Sequence, residues 1–412
     1  MRRFAGLLAA LLVATALASG ASAFTYAEWQ YGDVISTIDG RQLALGGAGL
    51  ASADGARGAM LNPALVAKAE GLEVAVTAAA INTEESREMP LHDSFDGIIG
   101  YNTYAMNSAL YDRYFGAIAY KPSGDFEWAP AVAIGYRPRL DMSYDYHVQY
   151  RDNDTQTEPM DRIKWDDYAI GEGGISAFTV ALGQEVADEV YVGIGVDFLR
   201  GDYDVRHKRV FPTAAARDDS TTWAAYDDVS GTQFSIGVLV ETLHRLDIAV
   251  VYRPGFELKG DYALTPAAED TATEAVACGF DYTYPDAIAL GLEYHPRNEL
   301  MTTVSFDVEY TRWSEFEDGL GENPDFDDTI EFRFGVEHSF YDKTSARFGF
   351  QYAPSYMDER YSRAAFSAGL GMDILGVRAD IGGQIGLREY DIDEGRIRET
   401  TMLGMATLTH RF

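Results

Sequence analysis

The sequence predicts an all-β fold: a transmembrane antiparallel β-barrel of about 14 strands, with an N-terminal hatch plugging its lumen. Three observations predict it. From about residue 111 onward, long segments alternate apolar and polar residues with period two. Tyrosine and phenylalanine gather at the ends of those segments. Beyond residue 23, no run approaches the roughly 18 apolar residues that a membrane helix needs.

The chain begins with an export signal. Arg2 and Arg3 precede an unbroken apolar and small-residue run over 4–17, and Ala21-Ser22-Ala23 supplies an A-x-A cleavage site. Residues 1–23 read as a signal peptide whose apolar part is too short to span a bilayer, so a retained anchor fits less well. Its removal takes two arginines and no acids, leaving 31 basic against 65 acidic residues, a net −34. Such a chain is not drawn by bulk charge to nucleic acid, and none is expected as a partner. The single Cys278 makes no internal disulfide.

The strands follow in order. In 131–137, Val132, Ile134 and Tyr136 oppose Ala131, Ala133, Gly135 and Arg137. In 246–253, Ile248, Val250 and Tyr252 oppose Asp247, Ala249 and Arg253; in 304–311, Val304, Phe306, Val308 and Tyr310 oppose Ser305, Asp307 and Glu309. In 377–388, Ile381, Ile385 and Leu387 oppose Asp380, Gln384 and Arg388. A soluble sheet with one wet face alternates too. Strand length, the aromatic ends (Tyr120, Tyr136, Tyr252, Tyr294, Tyr310, Tyr352) and a last strand ending on Phe412 favour a membrane wall. Backbone groups facing lipid find no water, so such a wall must close on itself.

Strands are expected near 72–82, 112–121, 129–150, 173–186, 189–209, 231–243, 246–263, 284–296, 300–314, 328–341, 343–357, 361–374, 376–390 and 398–412. Asp188-Glu189, 341–343 and Leu375-Gly376 read as short periplasmic turns; 151–172, 210–230, 264–283 and 315–327 read as outer loops.

Some fourteen strands enclose a lumen that wall side chains alone do not fill. Residues 24–70 precede the first good strand and read as the plug, with 71–412 as the barrel. Gly46, Gly47 and Gly49 allow tight turns and close approach to the wall, and Ala51, Ala53, Ala56 and Ala59 suit a confined space. Asn62-Pro63-Ala64 makes a rigid turn ahead of the first strand. A loose periplasmic leader is the alternative. A dinucleotide-binding loop fits poorly, because Ser52 stands where a third glycine belongs.

The stretch "LALGGAGLASADGARGAMLNPAL" (43–65) resembles the N-terminal hatch of the FadL/TodX family of outer-membrane transporters for long-chain fatty acids and other hydrophobic compounds. "FSIGVLVETLHRLDIAVVYRPGFELKGDY" (234–262) and "YPDAIALGLEYHPRNELMTTVSFDVEYTRWSEF" (284–316) resemble two of its strand pairs. The resemblance implies a hydrophobic small-molecule ligand that enters from outside, binds in the lumen and leaves sideways into outer-membrane lipid. A monomer is expected. Passage into the bilayer keeps an insoluble substrate in an apolar medium.

A lateral opening requires strand pairing to fail locally. Pro138, which donates no ladder hydrogen bond, marks a candidate kink, and Pro254 repeats the pattern; both also suit simple bulges. Arg137 and Arg253 face the lumen by alternation and are the candidate headgroup ligands, with lumenal salt bridges as their other reading. No cofactor and no catalytic grouping is expected, because the seven histidines show no nucleophile-base spacing. Metal spacing is not seen either: "DNDTQTE" (152–158) lacks the glycine and final glutamate of a calcium loop. A barrel serving protein secretion or binding and an aqueous porin are the alternatives to a hydrophobic-compound transporter.

Overall fold

The structure is a computed structural model that describes residues 31–53, 55–95, 97–122, 129–151, 163–211, 219–242, 245–267, 274–297, 301–321, 324–340, 344–392 and 395–412. The expected signal peptide, the 341–343 turn and "DNDTQTE" lie outside these residues.

Fourteen wall strands form one antiparallel sheet that closes on itself. They are β1 (Leu72–His92), β2 (Ile98–Tyr120), β3 (Ala131–Asp141, continued by Tyr144–Arg151), β4 (Ile163–Ala187) and β5 (Val190–Val210). Then come β6 (Ser220–Glu241), β7 (Leu246–Arg253, continued by Phe256–Thr265), β8 (Val276–Tyr284 and Ala287–Tyr294) and β9 (Thr302–Thr311). The last are β10 (Thr329–Ser339), β11 (Ser345–Ala353), β12 (Arg363–Ile374), β13 (Val377–Ile392) and β14 (Gly395–Arg411). β14 pairs with β1 from Arg396↔Glu88 to Arg411↔Glu73, which closes the ring.

The period-two pattern decides which way each side chain points. Ile134 and Ile381 are 52% and 61% exposed, whereas Ala133 and Asp380 are 1% exposed. Apolar side chains therefore face outward to lipid, and small or charged ones face the lumen. Tyr120 and Tyr294 sit exposed at strand ends, as an interfacial girdle requires, whereas Tyr136 lies midway along Ala131–Asp141 and Tyr252 just before the break in β7. The β12–β13 hairpin turns on Leu375 and Gly376, both at positive φ (52° and 84°), the backbone of a two-residue hairpin turn matched to strand twist.

Several strands run further outward than expected. β1 reaches His92, β2 begins at Ile98, and β4 and β6 begin at Ile163 and Ser220 inside the expected loops 151–172 and 210–230. Above the lipid both faces meet water, so the apolar alternation fades while backbone pairing continues. Three staves also break: at 142–143 in β3, at Pro254-Gly255 in β7 and at Pro285-Asp286 in β8.

Residues 31–69 lie inside this ring and supply much of its core. They form two short helices, α1 (Gly40–Ala44) and α2 (Gly55–Gly58), and a 3-10 turn at Pro63–Lys68. The sequence has little bulk here, yet Leu43, Leu65 and Val66 are fully buried against the wall. Each such side chain contributes about 1.5–3 kcal/mol.

Candidate functional site

The site is the lumen above this inner segment, together with the seam beside it. Wall side chains hold the segment through its backbone. Gly40 N donates to Thr407 Oγ1 (2.8 Å) and Gly46 N to Ser367 Oγ (2.9 Å). Gly49 N and Leu50 N both donate to the buried Asp307 carboxylate (2.7 and 3.0 Å). Gly46 has φ +68°, and a Cβ there would lie 2.5 Å from the Phe350 backbone, so no larger residue fits. Gly47 also has positive φ, 86°.

The Asn-Pro-Ala element is a cap. Asn62 accepts from Ala64 N (3.0 Å) and donates to Leu50 O (3.0 Å), while Pro63 opens the 3-10 turn. A Cβ on Gly193 of β5 would lie 2.2 Å from the Pro63 backbone, so the wall makes room for this turn. Nothing in the pattern of β5 singles out Gly193, because only the fold places it opposite Pro63.

A cavity of about 130 Å³ lies above, lined on one side by Ile35, Leu50 and Leu61. Its wall is rich in guanidinium groups, and most are engaged. Arg137 donates to Asp197 (2.7 Å), which also accepts from Thr179 Oγ1 (2.6 Å). Arg253 donates to Glu309 (3.3 Å) and to Leu61 O (2.9 Å), and Arg333 donates to Glu309 and Glu331. Thus the two arginines expected to receive a headgroup line the cavity but serve as lumenal ion-pair partners.

Arg139 and Arg363 line the same cavity, and neither has a carboxylate partner among the described residues. The Nε of each is buried without a hydrogen-bond partner. Sequence reasoning missed both, because which cation finds an acid depends on register rather than on alternation.

Aromatic side chains form a sleeve over the cavity. Trp313 stacks on Tyr356 with centroids 4.0 Å apart, and Tyr203 stacks on Tyr226 at 4.2 Å. Tyr31 sits edge-on to Phe316 and Phe326, 5.2 Å from each. Tyr284 and Tyr356 donate to the carbonyls of Tyr31 and Gly32 (both 3.1 Å), so these two residues are held within the sleeve.

Beside the cavity the wall loosens. β2 pairs with β3 only from Gly116↔Tyr136 to Tyr120↔Val132. Pro138 lies next to the point where this pairing ends, and the β3–β4 register slips between Pro138 and Leu140. Beyond it the alternation stops: Leu140, Asp141 and Met142 are all buried. The freed edge of β3 turns inward and pairs with the inner segment, Asp33↔Asp141 and Val34↔Leu140, with Ile35 N donating to Arg139 O (3.0 Å). A buried ion pair spans the seam, with Arg113 Nε 3.2 Å from Asp141. Pro254 differs, because β7 resumes pairing with β6 at Leu258↔Gly231.

Comparison with known proteins bears on this geometry. Residues 174–366 match the family model described as outer membrane protein transport protein (OMPP1/FadL/TodX). No curated protein sequence matches the chain. A FadL homologue of Pseudomonas aeruginosa superposes with a TM-score of 0.65 at 13% identity, over 92% of this chain and 99% of that one. The Pseudomonas putida toluene transporter TodX gives 0.61 at 13%, and the Ralstonia pickettii toluene transporter TbuX 0.59 at 14%, each over the same shares. At these identities the structural likeness is one of fold.

Proposed function

We propose that this chain, which belongs to the outer membrane protein transport (OMPP1/FadL/TodX) family, carries hydrophobic compounds bearing an acid head, with long-chain fatty acids as the fitting class. It is a bacterial outer-membrane protein and a transporter of hydrophobic compounds, from a family of transporters and channels. One observation supports the finer reading: two guanidinium groups that have no carboxylate partner among the described residues, Arg139 and Arg363, sit under an aromatic sleeve.

In this reading residues 1–23 direct export, 24–70 act as the hatch, and 71–412 form a barrel working as a monomer. A carboxylate docked on Arg139 and Arg363 gains charge-assisted hydrogen bonds worth about 1.5–3 kcal/mol each. Every methylene lodged among Tyr284, Trp313 and Tyr356 adds about 0.8 kcal/mol. The cavity also touches Asp33–Ser36, the residues that hold the free β3 edge. A ligand there presses on that contact, and its exit lies between β2 and β3, into outer-membrane lipid.

Titration of the purified barrel with a fluorescent long-chain acid and with the matching alcohol tests this. The acid binds more tightly, and Arg139→Gln with Arg363→Gln weakens it by about tenfold or more, in line with 1.5–3 kcal/mol per charged bond, while leaving the alcohol unchanged. Equal affinities, with toluene displacing both, would instead mark a neutral-hydrocarbon carrier, the substrate named for TodX and TbuX. A co-purifying protein in place of ligand would mark the secretion scaffold.

A further inference from the structure

At the rim where β1 starts and β14 ends, Asp247 of β7 and Glu293 of β8 are direct cross-strand partners. Both precede or follow an outward residue, so both carboxylates face the lumen. Two like charges directly opposite on one face of a sheet repel. His295 stands two residues beyond Glu293, on the same face, with its backbone N donating to Arg245 O (2.9 Å).

One oxygen of each carboxylate and one ring nitrogen of His295 lie within 4.8 Å of one another. His295 Nε2 is 3.3 Å from Asp247 Oδ2, which is about the ligand-to-ligand edge of a tetrahedron with bonds near 2.0–2.1 Å. The other ring nitrogen, Nδ1, is 3.4 Å from Thr303 Oγ1, an outer partner of the kind that orients a ligating imidazole.

Glu293 supplies a second, independent observation. The residue is 6% exposed and accepts no hydrogen bond among the described residues. Among the described residues its one ion-pair neighbour is Arg41 of the inner segment, at 3.9 Å. That guanidinium also donates to Glu337 (3.1 Å) and Ser52 O (2.7 Å). A buried carboxylate with so little satisfaction needs a closer cation. His295 is 44% exposed at its side chain, which leaves an entry path from the rim.

We propose that Asp247, Glu293 and His295 bind a divalent transition-metal ion of the zinc type, with solvent completing the coordination. One imidazole and two carboxylates favour such an ion over calcium or magnesium, which take all-oxygen shells. The bound ion ties β7 to β8 next to the point where Arg41 fixes the inner segment.

Calorimetric titration of the tag-free, detergent-solubilised barrel with ZnCl₂ in excess MgCl₂ tests this. One equivalent binds; Asp247→Asn and His295→Gln each weaken binding by about tenfold or more, as ligand loss does, and His410→Gln leaves it unchanged. Cobalt titration of the unaltered chain gives the visible bands of a tetrahedral site, a readout that needs no variant. Absence of stoichiometric binding, binding equal in all variants, or a featureless cobalt spectrum overturns the proposal.

Discussion

The two strand junctions that flank β1 and β2 behave in opposite ways. β14 and β1, the most distant strands in sequence, pair over sixteen residues, from Arg396↔Glu88 to Arg411↔Glu73. β2 and β3, neighbours in sequence, pair over five. Chain proximity therefore does not set how well the wall is sealed. What differs is chemistry at the edge. The closing junction carries an uninterrupted ladder, with Thr77 and Thr407 hydrogen-bonded across it (2.8 Å). The β2–β3 junction ends at Tyr136, two residues before Pro138, and the edge beyond it is taken by Asp33–Ile35 and the Arg113–Asp141 pair. In the proposed lateral release the wall parts at the short junction and stays shut at the long one.

Three substitutions probe the two junctions and the inner segment, in falling order of effect. Asp141→Asn takes one carboxylate away from the buried Arg113 across the seam, and losing such a charged hydrogen bond costs about 1.5–3 kcal/mol. The unfolding temperature of the barrel, read from its heat-dependent gel mobility, falls clearly, and single-channel recordings show intermittent leak. An unchanged melt would mean the pair does not hold the seam. Asn62→Ala removes the cap at Ala64 N and the bond to Leu50 O, a loss of about 1–2 kcal/mol felt by the inner segment. Hydrogen exchange over 55–69 speeds up while the wall strands keep their protection. Pro254→Ala changes stability by less than about 0.5 kcal/mol and does not alter uptake, because β6 and β7 already pair on both sides of that break. A transport defect there would move the exit to β7.

Much of the wall was legible because lipid enforces it. Every second residue meets hydrocarbon, so Val132, Ile134 and Tyr136 announce a strand without help from tertiary structure. The inner segment was legible from Gly46, Gly47, Gly49 and Asn62-Pro63-Ala64, since few other residues allow close approach and a sharp stop. Three things were not. The outer strand extensions carry no lipid-facing pattern. Arg139 follows Arg137 on the same lumenal phase, yet only the slipped register at Pro138 leaves one partnered by Asp197 and the other without an acid partner among the described residues. The Asp247, Glu293 and His295 group spans 48 residues of sequence and forms only when β7 and β8 align. Spacing rules see ligands within one segment and miss those joined across a ladder.

In the proposed reading, the hydrophobic ligand leaves through the junction between β2 and β3. A thiol cross-link between the paired positions Gly116→Cys and Tyr136→Cys, made in a Cys278→Ser background, tests this, with the paired positions Asn82→Cys and Met402→Cys of the closing junction as the reference. Uptake of a labelled long-chain acid into outer-membrane vesicles should fall by about tenfold or more in the first cross-linked protein, recover on reduction, and stay unchanged in the second, while binding in detergent persists in both. Full uptake through the cross-linked β2–β3 junction would contradict the account.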